Sequence, residues 1–83
     1  MRITDIHIRK VDYSNTKGYA SITIDNEIVI HDIKILEKED RLFIAMPSRR
    51  RKDGSFVDVA HPISQKTRDM ICDAILDAYN NVE

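Results

Sequence analysis

The 83-residue sequence contains one cysteine, no tryptophan, two glycines and two prolines. With Cys72 alone, an internal disulfide is impossible and the paired Cys/His spacing of a structural zinc site is missing. Gly18 and Gly54 are too far apart to make a glycine-rich phosphate loop. No apolar run is long enough to span a membrane, and the opening MRITDIHIRK alternates charged with apolar residues, unlike a secretory signal. The net charge of −1 rules out a polycation. These absences lead to the expectation of a cytoplasmic protein with no metal, no cofactor and no small-molecule substrate.

Hydrophobic residues make up 42% of the chain and charged residues 33%, a balance that suits an ordinary globular fold and not a disordered one. Residues 1–83 are expected to form a single domain. A core this small gives limited stability, and chains of this size often add a disulfide, a metal or a partner subunit. With the first two missing, a homodimer is expected.

Most of the sequence has the pattern of β-strands. Ile6 and Ile8 alternate with His7 and Arg9, and Val11 then breaks the parity, which predicts a bulge or a strand end. From Tyr19 to Asp25, Ala20, Ile22 and Ile24 share one face, and Asp25-Asn26 supplies residues that tolerate a tight left-handed turn. Ile28 to Leu36 carries apolar residues at both parities: Ile28 and Ile30 on one, Val29, Ile33 and Ile35 on the other. Such a strand is buried on both sides or lies at a subunit interface. Lys38-Glu39-Asp40 should turn, Leu42 to Met46 should form a strand ended by Pro47, and Phe56 to Ala60 a short fifth strand. Ser64 suits a helix N-cap, and Ile71, Ile75, Ala78 and Val82 form one helical stripe away from Asp69, Asp73 and Asp77. The fold class is α+β: an antiparallel sheet of about five strands with a C-terminal amphipathic helix packed on it.

Charge is unevenly distributed. Arg49, Arg50, Arg51 and Lys52 are consecutive, whereas 69–83 contains acidic residues and no Lys or Arg. Four adjacent like charges repel one another, and a polyanion relieves that repulsion; guanidinium forks match phosphate oxygens and base edges. After Pro47 the run is expected to lie in a turn at the end of the sheet, with Ser48 adding a hydroxyl contact. Lys66 and Arg68 fall in the first helical turn, where cations oppose the helix dipole and a bound anion would account for them. Arg9 and Lys10 are secondary candidates. His7, His31 and His61 share no ligand spacing and are expected to be structural or exposed, and Cys72 to be a buried thiol. Neither a nucleophile elbow nor a pair of carboxylates in a cleft is present, so no enzyme is expected.

The blocks ITDIHIRKV, SITIDNEIVIHDIKI and FIAMPSRRRKDGSFVDVAHPI together resemble the SpoVG family (stage V sporulation protein G, the septation protein) along essentially the whole chain. The resemblance implies a bacterial cytoplasmic homodimer that binds DNA, and in some members RNA, and regulates gene expression with effects on sporulation and asymmetric septation. It assigns DNA contact to the two basic residues after Met-Pro-Ser, which are Arg49 and Arg50 here. Where members commonly continue with Thr-Pro or a similar pair, this chain has Arg51-Lys52, enlarging the basic patch. Many members also carry an acidic C-terminal tail beyond the point where this chain ends. A competing reading is a protein-interaction module of the septation or sporulation machinery, its arginines docking an acidic protein surface.

Overall fold

A computed structural model describes residues 1–82. The chain order is β1 (Ile3–Tyr13), β2 (Thr16–Ile24), β3 (Ile28–Lys38), β4 (Arg41–Ala45), β5 (Ser48–Arg50), β6 (Phe56–Asp58) and α1 (Gln65–Asn81). Strands β1 to β4 form an antiparallel meander in sequence order, and β5 pairs with β6 in a separate two-stranded ribbon. The class is α+β as expected, but a four-stranded sheet and a detached hairpin replace a single five-stranded sheet.

Three of the four central turn residues, Asp25, Asn26 and Asp40, are of types that tolerate positive φ; Glu39 adopts it beside Asp40. Asp25 and Asn26 have φ of 54° and 56°, and Glu39 and Asp40 have 56° and 65°. Two successive left-handed residues make the mirror-image turn whose twist suits adjacent antiparallel strands. The parity break at Val11 is a bulge: the register shifts between Lys10, opposite Gly18, and Tyr13, opposite Thr16.

A second bulge explains the mixed parity of β3. Ala20 faces Ile33 and Ile22 faces Ile30, so three steps along β3 oppose two along β2. Asp32 absorbs the extra residue at φ 64°, a conformation Asp tolerates better than most. Cross-strand partners share a face, so Ile28, Ile30, Ile33 and Ile35 all lie on the face of Ala20 and Ile22. The expectation of two apolar faces is therefore corrected: β3 has one isoleucine face whose phase is shifted by the bulge, while Val29 points to the other side.

The core lies between that face and α1. Ala20, Ile22, Ile33, Ile35, Met46, Ile71 and Ile75 are buried, with Ile6, Ile8, Leu42, Ile44, Leu76 and Tyr79 packed around them. Ser64 caps α1 as expected, its Oγ accepting from the Thr67 N–H at 3.2 Å. The last turn of α1 contains no basic residue. Instead Lys10 reaches over from β1, donates to the Val82 carbonyl and places its Nζ 4.6 Å from the Tyr79 ring centroid. It thereby puts a cation at the negative end of the helix dipole. Gly18 lies where β1, β3 and α1 converge, and a Cβ there would come within 3.1 Å of the Arg9 carbonyl oxygen.

Candidate nucleic-acid interface

The basic run is not the simple turn expected from Pro47. Ser48, Arg49 and Arg50 form β5, opposite Asp58, Val57 and Phe56 respectively. The base of the ribbon is closed by the Val59 N–H donating to the Pro47 carbonyl at 2.7 Å, and Met46, just before it, is buried in the core. At the tip, the Arg51 N–H donates to Ser55 O at 2.7 Å and the Gly54 N–H to Arg51 O at 3.0 Å. Gly54 closes the turn at φ 91°, a conformation that favours glycine.

Because side chains alternate along a strand, Arg49 and Arg50 project from opposite faces of the ribbon. Arg51 and Lys52 lie at its tip. All four, and Ser48, are exposed. Among the described residues none of the four cations makes an ion pair; Lys17 and Asp12 form one at 3.4 Å, and His7 Nε2 lies 2.9 Å from an Asp5 carboxylate oxygen. The carboxylate nearest in sequence, Asp53, is occupied within the turn, accepting from Ser55 Oγ at 2.6 Å and Ser55 N–H at 2.9 Å. These bonds, the hydroxyl first, hold its carboxyl below the ordinary aspartate range. The tip is thus fixed by its own hydrogen bonds while its cations point outward.

The other candidates have separate settings. Lys66 and Arg68 are exposed on α1, and no hydrogen bond or shared cavity joins them to the ribbon among the described residues. Lys10 serves the helix end, and the Arg9 guanidinium carbon lies 5.1 Å from the Tyr19 ring centroid. Cys72 is half-buried, less enclosed than expected, and desolvation nevertheless raises its thiol pKa. His7 and His31, remote in sequence, line one shallow hollow with Ser21 and Asp32, whereas the His61 Nδ1–H donates to the Pro62 carbonyl at 3.1 Å. Among the described residues no three His, Cys, Asp or Glu side chains are placed to hold a metal ion, and no helix is long and apolar enough to cross a membrane.

Two features escaped the sequence reading. The pairing of β4 covers β3 only from Lys34 to Lys38, leaving Ile28–Ile33 without a strand on that edge among the described residues. Between this bare edge and the ribbon lies a groove of about 770 Å³, lined by Ile28, Val29, His31, Met46, Phe56 and Val59 among others. Phe56 is 71% exposed, Val59 63% and Ile28 62%, a large apolar rim for so small a chain. Alternation in the sequence shows which way side chains face but not where a partner strand stops.

The model of the SpoVG family matches residues 1–81. The chain belongs to the SpoVG family. It is 53% identical over 83 residues to a protein of Acetivibrio thermocellus named "Putative septation protein SpoVG", covering 99% of this chain and 88% of that relative. A protein of the same name from Clostridium beijerinckii is 54% identical over 80 residues, covering 95% of this chain and 88% of the relative. A third, from Caldicellulosiruptor bescii, is 49% identical over 83 residues, covering 99% and 94%. The SpoVG match thus takes in both the sheet and the basic ribbon.

Proposed function

We propose that this SpoVG-family chain is a dimeric, non-catalytic nucleic-acid-binding regulator of the bacterial cytoplasm, acting in septation and sporulation, with the β5–β6 ribbon as its contact element. The observation that carries this reading is four consecutive exposed cations on an ordered two-stranded ribbon, without carboxylate partners among the described residues. The major groove of duplex DNA admits a two-stranded β-ribbon. A ribbon inserted tip first would direct Arg51 and Lys52 towards the groove floor, and Arg49 and Arg50 towards the phosphates on its two sides. The septation role rests on the names of the relatives.

The dimer reading is supported by the bare β3 edge and its apolar rim. Two copies related by a two-fold axis could pair Ile28–Asp32 edge to edge in antiparallel fashion, extending the sheet and covering Ile28, Val29, Phe56 and Val59. That arrangement would present two basic ribbons to one duplex. A fluorescence-anisotropy titration of a labelled duplex tests the contact: Arg49→Ala with Arg50→Ala should weaken binding severely while the far-UV spectrum and melting temperature stay unchanged. Undiminished affinity in that folded variant would remove the assignment. Sedimentation of Val29→Lys tests the edge; a monomer is expected, and a persistent dimer would place the interface elsewhere.

A further inference from the structure

Resting on that nucleic-acid reading, we infer that the face of the main sheet opposite α1 is a second contact surface, which takes unpaired bases of single-stranded nucleic acid by stacking. The two faces of the sheet differ sharply. Towards α1 the sheet presents its isoleucines. On the other side, register places Arg9 opposite Tyr19, Tyr19 opposite Lys34 and Lys34 opposite Ala45, one continuous row across all four strands. The next row pairs Leu36 with Phe43, and the one beyond pairs Lys38 with Arg41. In the opposite direction, His7 lies across from Ser21, which faces the bulge at His31 and Asp32.

Three properties of this surface favour bases over a protein partner. First, it combines aromatic rings with cations: Tyr19 lies between Arg9 and Lys34, and Phe43, 42% exposed, is beside Lys38 and Arg41. Aromatic side chains and guanidinium planes are the groups on which splayed bases stack, because every base has a π-face. The Arg9 guanidinium carbon lies 5.1 Å from the Tyr19 ring centroid, a cation–π contact that keeps a planar cation beside the ring. Second, Arg9, Lys34, Lys38 and Arg41 outnumber the carboxylates beside them, which are Asp5, Asp32 and Glu39, the last lining one hollow with Lys38, Arg41 and Phe43; Asp5 lies 2.9 Å from His7. The surplus suits a phosphate backbone. Third, His7, Ser21 and His31 line a hollow of about 200 Å³ shared with Arg9 and Tyr19, offering hydrogen-bonding groups for base edges next to the stacking row.

Scale agrees with this reading. Four strands at roughly 4.8 Å spacing span about 14 Å, room for two or three splayed bases. A duplex keeps its bases stacked internally and cannot offer their faces, so this surface should discriminate by strandedness. The ribbon, acting through phosphates and groove edges, should serve the duplex.

Anisotropy titrations with a labelled 12-nucleotide oligo-uridine, a 12-nucleotide oligo-thymidine and a 12-base-pair duplex separate the two sites. Tyr19→Leu with Phe43→Leu keeps the apolar floor and removes the rings. It should lower single-strand affinity at least tenfold, the range expected for losing one or two stacked bases, and leave duplex affinity within about twofold. Arg9→Ala with Lys34→Ala alters only exposed side chains, so it folds even if the aromatic variant does not. It should reduce the single-strand salt slope by roughly 1.4. If the aromatic variant retains single-strand affinity, or loses both affinities equally, the sheet-face site is overturned while the ribbon reading stands or falls on its own arm. If Arg49→Ala with Arg50→Ala leaves duplex binding intact but the aromatic variant loses the single strand, the ribbon reading fails and the sheet face survives. Wild-type protein that binds none of the three probes overturns both.

Discussion

Replacing Ile30 or Val29 by alanine tests the bulge at Asp32, because a regular β3 and a bulged one assign these neighbours to opposite sides. Without the bulge, Val29 would share the face of the fully buried Ile33 and Ile35, and Ile30 would share that of exposed Lys34. With it, Ile30 faces buried Ile22, while Val29 faces Thr23 and is 46% exposed. Truncating a fully buried Ile to Ala costs about 2–5 kcal/mol. Ile30 is half-buried, so the low end, about 2 kcal/mol, applies. In a domain of this size about 1 kcal/mol moves the melting temperature by roughly 4–8 °C, which gives a drop of about 10 °C for Ile30→Ala. Val29→Ala should move the folding transition of the protomer by less than about 0.5 kcal/mol, as surface changes do. Urea unfolding at two protein concentrations is the assay. Any contribution of Val29 to association then appears as concentration dependence and is separated from folding. A large, concentration-independent loss for Val29→Ala, with a neutral Ile30→Ala, would refute the bulged register.

Other perturbations have expected outcomes on the same footing. Gly18→Ala pushes a methyl against the Arg9 carbonyl, with Ile35 and Tyr79 closing the remaining space; it should destabilise by about 1–3 kcal/mol in a urea titration. Gly54→Ala strains the tip at φ 91°, so it should lower duplex affinity with little change in melting temperature, read by anisotropy and calorimetry. Cys72, its thiol pKa raised chiefly by desolvation, holds less thiolate at pH 8 than a free cysteine. Iodoacetamide should therefore modify it more slowly in the native protein than in urea, as followed by mass spectrometry.

The parts of the fold that were legible in the sequence are those fixed by local chemistry. Asp25-Asn26 names its own turn and Ser64 its own cap; of the expected stripe Ile71 and Ile75 are buried, whereas Ala78 is half-buried and Val82 lies past the helix as its extended C-cap. Mixed parity in β3 was visible but ambiguous, since two apolar faces and one bulge produce the same apolar pattern. The register shift against β2 and the positive φ of Asp32 distinguish them. Pro47 marked the end of β4 but could not tell whether the next strand rejoins the sheet; it pairs instead with Phe56–Asp58. The candidate site was legible as charge and not as geometry. Arg49 and Arg50 stood out as neighbours, yet their projection from opposite faces exists only because β5 is a strand. The row Arg9–Tyr19–Lys34 was invisible, because its members come from three strands and adjoin only through register.

The salt dependence of duplex binding, compared between the wild type and the Arg49→Ala, Arg50→Ala variant, tests the central claim most directly. If each of these arginines neutralises one phosphate and the protein binds as a dimer, four contacts vanish and the slope of log K against log salt becomes shallower by roughly 3.6. A monomer with the same contacts would lose about 1.8. Parallel slopes for the two proteins would mean that Arg49 and Arg50 touch no phosphate, contradicting the ribbon as the nucleic-acid contact element.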